Sequence, residues 1–360
     1  MIIKKYENYL ISLYFKNILL ISIVFIFLSF FLNIFEEIKF LENYQIGVHY
    51  PILLTILNIP SIVFEILPFI FLIAVMFFFI NLYDKEEIEL LRSNGVDNFK
   101  IIIILSITSL ILGIFLIFVY YSLSSNLKNF YLNLKYKFSE NNMHLAVVDE
   151  SGLWIKEEMN NHIFIVNARK FKNNDLEDIT ITQLDTKYKL KNTIISKKAN
   201  IKNKKWILKD VKIYSEGKNN SNFKKYEYFS SFNGEIISNL YSNLNSLTIF
   251  ELHKLKGDYQ SIGYSSTDVK LQLNKLYSLP IYLMLTTVIG SLLMFRLDFI
   301  KSKFFLVVIG VLVSVIFYYI NYFAILFGKN ETIPSELSIW LPHLLISLIC
   351  TLGLMRLNEN

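Results

Sequence analysis

Six apolar runs constrain this chain of 360 residues more than anything else in it: residues 18–35, 52–83, 99–123, 279–295, 304–327 and 337–354. Crossing the hydrocarbon core of a bilayer as a helix takes about 20 apolar residues. In lipid every backbone amide and carbonyl must pair within the protein, so runs of this kind are expected as membrane helices. A hydrophobic fraction of 53% and an aromatic fraction of 16% agree with a multi-pass membrane protein carrying a polar insert. The net charge of +6 comes from lysines that are spread rather than massed, so nucleic acid is not an expected partner.

The charges at the ends of the runs orient them. Lys4, Lys5 and Lys16 precede the first run, whereas Glu36, Glu37 and Glu42 follow it against the single Lys39. Lysine is retained on the cytoplasmic side, which places the N-terminus inside. The run exceeds a signal-peptide core and lacks a small-residue cleavage site, so it is read as an uncleaved first span. Arg296, Lys301 and Lys303 fill the short loop between the fourth and fifth runs. Six spans with both termini cytoplasmic are therefore expected. Pro60 and Pro68 interrupt the second run, the first marking an interfacial segment and the second a kink within the span. Glu65 between them is expected near the outer interface, where a carboxylate is tolerated.

Between residues 124 and 267 the composition turns polar and lysine-rich. Alternating segments recur, as in His162-Ile163-Phe164-Ile165-Val166, Asp178-Ile179-Thr180-Ile181-Thr182, and Trp206-Ile207-Leu208 through Val211-Lys212-Ile213-Tyr214. Turn-formers separate them, among them Asn173-Asn174-Asp175 and Asn219-Asn220-Ser221. Period-two patterning at this spacing predicts an all-β unit, a sandwich or an open jelly roll, on the periplasmic side. The expected fold is thus membrane α-helical, with six transmembrane helices and an inserted periplasmic jelly-roll-like domain. Its expected divisions are 1–123 (spans one to three), 124–267 (the β domain) and 268–360 (spans four to six).

A compact charged stretch joins the second and third runs at residues 84–95. Asp84 and Glu87 have the spacing of a capping-box pair, Ile88 and Leu91 share one helix side, and Glu89 and Arg92 stand at i,i+3. Asn94-Gly95 is a stop signal, and Asp97 is placed to cap the next helix. Two spans joined by one short polar helix, without a flexible linker, form a lever at the membrane surface. Capping alone is the alternative role for Glu87.

Chemistry within the chain is sparse. No G-x-x-x-x-G-K-[ST] loop is present to cradle nucleotide phosphates. His49, His144, His162, His253 and His343 show no metal-ligand spacing, and Cys350, the only cysteine, lies in the last run. His343, after Pro342 in that run, reads as a packed residue. No nucleophile, base and acid stand in a catalytic pattern. The chain is expected to be a non-enzyme that binds no cofactor and takes its energy from a partner.

Leu67-Pro68, Glu87-Ile88, Leu91-Arg92 and Gly95-Val96 together resemble the permease family of the lipopolysaccharide exporter (LptF/LptG, also YjgP/YjgQ). Gly152-Leu153-Trp154-Ile155, Trp206-Ile207-Leu208-Lys209-Asp210-Val211, and Ser246-Leu247 with Glu251-Leu252 extend the resemblance to most of the chain. Ile66-Leu67-Pro68 and the Gly152 block are more similar to the LptG branch. Gln272 stands where the family usually shows an acidic residue.

The resemblance implies an ABC-transporter permease that extracts lipopolysaccharide from the inner membrane, with ATP hydrolysed by a separate subunit. The partners it implies are an LptB-like cytoplasmic ATPase dimer, a paralogous LptF-like permease as heterodimer, and LptC/LptA-like periplasmic jelly-roll proteins. It implies ATPase coupling through Glu87, Ile88, Leu91, Arg92 and Gly95. It also implies a lateral gate on spans one and five, where Leu32, Phe35, Val315 and Tyr319 are the candidate lining residues and Lys39 the candidate phosphate ligand. Spans one and five contain few small residues apart from Gly310 and Ser314, which agrees with loosely packed faces. A membrane scaffold or mechanotransmission protein, coupled to an ATPase but moving no lipid, is the competing reading.

Overall fold

A computed structural model describes residues 5–42, 47–137, 153–159, 162–172, 175–186, 188–215, 221–230, 232–234, 237, 243–261, 265–295 and 303–358. Lys4, His144, Gly152, Asn173, Asn174, Asn219, Asn220, Arg296 and Lys301 lie outside the described residues. The chain divides into two units, Met1–Tyr131 with Thr267–Asn360, and Leu132–Ser266.

The first unit is helical. Among the described residues six helices are long and apolar enough to cross a membrane. In chain order the helices are α1 (Lys5–Leu41), α2 (His49–Glu65), α3 (Leu67–Asp84), α4 (Glu87–Ser93) and α5 (Asn98–Phe115). A π-helical turn, Leu116–Tyr121, then leads into α6 (Ser122–Lys137). After the β unit come α7 (Ile249–Ser261), which belongs to the second unit, then α8 (Thr267–Met294), α9 (Lys303–Lys329) and α10 (Ser335–Asn358).

The second apolar run is two helices rather than one kinked span. The chain breaks at Ile66 (φ −95°, ψ 5°), and Pro68 sits in the first turn of α3, where its missing N–H costs no helical bond. The crossing helix is α3, and α2 packs against α1 as an additional element. Pro60 is accommodated inside α2, whose chain continues as helix to Glu65. The third run also continues past its expected end at 123, because the π turn carries the helix on through Lys137.

Helices α3 and α8 are the two most buried of the bundle. Ile70, Leu72, Ala74, Val75, Met76, Phe78 and Phe79 are all fully buried, and α3 packs against α1, α8 and α9. Gly290 of α8 and Gly310 of α9 make those crossings close: a Cβ on the first would strike Val75 and the Leu72 carbonyl, and on the second Met76. Small residues at such seams are how membrane helices gain packing without a hydrophobic drive. Helices α1 and α9 are covered least, at 22% of their most apolar stretch against 61% for α3. On α9 the buried residues Leu306, Gly310, Ser314 and Phe317 form one stripe at three- and four-residue steps, and the rest of the helix is largely exposed.

The second unit is built on one open antiparallel sheet of six strands in sequential order: β1 (Leu153–Met159), β2 (His162–Lys172), β3 (Asp175–Leu184), β4 (Leu190–Asn200), β5 (Lys205–Ser215) and β6 (Ser221–Phe229). The alternating segments read from the sequence fall in β2, β3 and β5. Trp206, Leu208 and Val211 of β5 are buried, as are Leu176, Ile179 and Ile181 of β3, so the two-residue period slips by one in each strand. Asp178 (φ 50°) and Asp210 (φ 53°) stand at those slips. An aspartate tolerates the left-handed region better than β-branched residues do, and one such residue per strand keeps the apolar side chains on the inward face across the slip, with the pairing register unbroken. Phe232 and Ile237 complete the core on that face, and Trp206 Nε1 donates to the Phe232 carbonyl at 2.8 Å.

Candidate functional site

The seven residues of α4 are held at both ends by backbone geometry. The helix does not start from an Asp84 cap, because α3 runs through Asp84. Glu86 turns the chain at φ 59°, and no side chain caps the first turn. At the other end Val96 N–H bonds to Leu91 O at 2.9 Å and Gly95 N–H to Arg92 O at 3.0 Å. With Gly95 at φ +79°, this is a Schellman closure. Asp97 Oδ1 then accepts from Lys100 N–H and starts α5, as its position in the sequence foretold.

These constraints fix which side chains face where. Ile88 (2% exposed) and Val96 (5%) point inward, Leu91 is half-buried, and Glu89, Leu90 and Arg92 are exposed. The Glu87 carboxylate does not return to the first-turn amides. Its Oε2 accepts the Tyr9 hydroxyl of α1 at 2.6 Å, and Lys85 Nζ stands 3.9 Å from Oε1. Arg92 donates from Nε to Asn98 Oδ1 at 3.0 Å rather than pairing with Glu89. Asp84 pairs with Lys303, the first residue of α9. The outward ridge of α4 therefore carries both charge signs around the exposed Leu90.

The residues assigned to a gate are exposed on two separate helices. On α1, Leu32 is 69% and Phe35 68% exposed, with Lys39 also exposed; on α9, Val315 and Tyr319 are exposed. Near Lys39, Glu36 is exposed, and Glu37 is fully buried and accepts the Tyr131 hydroxyl at 2.7 Å.

Several polar ties inside the bundle were passed over in the sequence. The hydroxyls of Tyr14, Ser109 and Thr287, all fully buried, form a closed triangle with sides of 2.8–3.0 Å that joins α1, α5 and α8. Asn81 donates to Asn17 at 3.0 Å between α3 and α1. Lys128 donates to Asn58, which donates in turn to Asn33. Polar residues inside apolar runs were the available signal, since such groups seek partners across helices. Gln272 donates to the Tyr121 hydroxyl of the π turn at 3.4 Å. His343 is buried, with Nδ1 2.5 Å from Ile339 O and its ring edge-on to Tyr282. Among the described residues no group of three or more His, Cys, Asp or Glu is arranged to hold a metal ion.

The family model of the lipopolysaccharide export system permease LptF/LptG matches residues 8–356. No individual curated protein matches the chain.

Proposed function

The chain belongs to the lipopolysaccharide export permease family LptF/LptG and is a multi-pass inner-membrane component of that export system, and from that premise we propose that it is the permease subunit of an ATP-driven ABC transporter. In this reading α4 docks on an LptB-like ATPase dimer on the cytoplasmic side, and Glu87, Ile88, Leu91, Arg92 and Gly95 form the coupling element. A paralogous permease completes the membrane part, and the β unit hands lipopolysaccharide to LptC/LptA-like jelly-roll proteins in the periplasm. Lipid enters laterally along the exposed faces of α1 and α9 that carry Leu32, Phe35, Val315 and Tyr319, with Lys39 the nearest cation on α1 for a lipid phosphate.

The observation that carries this reading is the geometry of α4. A polar helix pinned between two membrane helices by a left-handed residue at each end moves only when α3 and α5 move, which is what an ATPase must achieve to work on a membrane cavity. A purely structural linker needs no exposed charged ridge and no tie to α1. The test is ATP hydrolysis by the complex reconstituted in proteoliposomes with and without lipopolysaccharide. Stimulation by lipopolysaccharide, lost with Glu87→Lys while the chain still inserts and accumulates, supports transport. Hydrolysis indifferent to lipopolysaccharide, with the ATPase still bound, identifies a scaffold instead.

A further inference from the structure

We infer that Tyr9 and the Asp84–Lys303 pair are positioning residues, the first tying α4 to α1 and the second tying the end of α3 that leads into α4 to α9, so that one displacement of α4 is delivered to both exposed helices at once. The inference rests on the reading of α4 as an ATPase-docking element, and it adds the route by which that docking reaches the lipid-facing surfaces.

Helix α3 lies against both α1 and α9 and ends only two residues before α4. On the α9 side the contacts keep register over the whole helix. Asp84 pairs with Lys303, Met76 fills the space at Gly310, and Phe69 meets Tyr318 with ring centroids 6.2 Å apart. Going back eight and then seven residues on α3 goes forward seven and then eight on α9. That is the register of antiparallel helices packed along their length, so moving the Asp84 end shifts the α9 stripe. On the α1 side Tyr14 packs edge-on against Phe71 and Phe78, Asn81 donates to Asn17, and Tyr9 reaches past α3 to Glu87 itself.

The chemistry of the Glu87 contact allows tie and docking together. A phenol donating to a carboxylate at 2.6 Å is a charge-assisted hydrogen bond, and it occupies Oε2 alone. A carboxylate accepts several bonds, so Oε1, with Lys85 at 3.9 Å, remains able to take a cation from a docked protein. The Asp84 and Lys303 side chains are 49% and 45% exposed, and exposed pairs of this kind hold little stability. Such a pair sets register at the end of two packed helices and can re-form in every cycle.

The test uses the complete complex in proteoliposomes, with lipopolysaccharide as the probe and ATP hydrolysis and lipid release measured separately. Tyr9→Phe removes one oxygen from an exposed side chain, and Lys303→Asp reverses one end of the pair. Each is expected to leave ATPase association intact and to raise the ATP consumed per lipid released at least threefold. The exchanged pair Asp84→Lys/Lys303→Asp is expected to return that ratio to within twofold of the parent. A merely structural role would lower yield or thermal stability without moving the ratio, and a ratio unchanged in both single variants overturns the inference. Spin labels at Ser93, the last residue of α4, and Phe15, in a Cys350→Ser background, report the tie without lipid release. Their distance distribution is expected to stay narrow with and without nucleotide and to broaden by several ångströms in Tyr9→Phe; identical distributions overturn the tie to α1. If no version of the complex releases lipopolysaccharide, the export reading fails, and the spin-label distances still decide the tie.

Discussion

Replacing Gly113 with alanine puts one close helix crossing of the bundle under direct test. Gly113 of α5 faces Pro280 of α8, and an added Cβ would lie 2.6 Å from Pro280 Cα and 3.0 Å from Pro280 Cβ. Carbon atoms rest about 3.5–4.0 Å apart, so relief needs a separation of about 1 Å. The obstructing atoms are backbone and a fixed ring, and no rotamer change moves them aside. One turn away the Ser109–Thr287 hydroxyl contact is 2.8 Å, and the same separation would stretch it beyond hydrogen-bond range. Overpacking costs about 1–3 kcal/mol and the lost interhelical bond about 0.6 kcal/mol, while the better helix propensity of alanine returns about 1 kcal/mol. The net is a destabilisation of about 0.6–2.6 kcal/mol, or a fall in Tm of about 1–10 °C. Gly310→Ala is the control: its Cβ would meet the flexible end of Met76, which swings away, so its cost should stay below about 1 kcal/mol. Cys350 is 3% exposed, and it is the only cysteine in the chain, so its reactivity toward a thiol reagent during heating of the detergent-solubilised protein reports unfolding. A Gly113→Ala chain that unfolds at or above the parent temperature, or a larger loss with Gly310→Ala, would refute the reasoning.

Three further outcomes are expected. Gly95→Val adds no clash, since nothing lies within 4 Å of its Cβ, but it forces a β-branched residue to φ +79°; the strain of about 1–3 kcal/mol should loosen the α4–α5 turn and show as faster amide exchange across residues 91–98 with normal insertion. Tyr228 is buried against the Glu157 carboxylate, to which it donates at 2.5 Å, and burial first, then that charge, raises its pKa above the ordinary 10.0. Its stabilising contribution is therefore complete below about pH 10 and is lost above it, at up to about 1.4 kcal/mol per pH unit, so alkaline titration of Trp206 fluorescence should show a transition that Tyr228→Phe flattens. With Cys350 replaced, a cysteine at Lys85 should resist a membrane-impermeant thiol reagent in spheroplasts while one at Lys204 reacts, and the reverse pattern would invert the proposed orientation.

How much of this was legible in the sequence depends on how far apart the causes of each feature lie. The six spans were visible because hydropathy acts over a continuous window, and β2, β3 and β5 because alternation does; β1, β4 and β6 were not read from alternation. Helix ends were not: α8 begins at Thr267, 12 residues before the expected 279, since its first turns are polar and lie outside any apolar window. Pro68 was seen but given the wrong one of two meanings. A proline deep in a helix kinks it, whereas one in the first turn starts it, and the break at Ile66 decided between them. The Asp84 and Glu87 spacing fitted a capping box, yet α3 ran on through Asp84 and the turn was made by Glu86 at φ 59°. That residue carries no sequence mark for a left-handed conformation, unlike Gly95.

The polar ties around α4 lie beyond any local pattern. Tyr9 and Glu87 are 78 positions apart, and Asp84 and Lys303 are 219 apart. Each is one of many charged or phenolic residues near a helix end, and only the packing of α3 selects these partners. The selection follows from small residues that were visible all along. Gly290 and Gly310 let α3 sit deep between α8 and α9, and Gly113 lets α5 close on α8, which sets the distance at which Ser109, Thr287 and Tyr14 share their hydroxyl bonds. With α3 seated by glycines along its length, its last residue arrives beside Lys303 and the helix after it beside Tyr9. The weak polar contacts at the α4 end thus inherit their geometry from close packing elsewhere in the bundle. Enlarging Gly310 beyond alanine, for example to leucine, should therefore part Asp84 from Lys303 without touching either, and crosslinking of cysteines placed at those two positions, with Cys350 replaced, should fall by at least threefold. Unchanged crosslinking would show that the pair is set by its own attraction and not by the packing of α3.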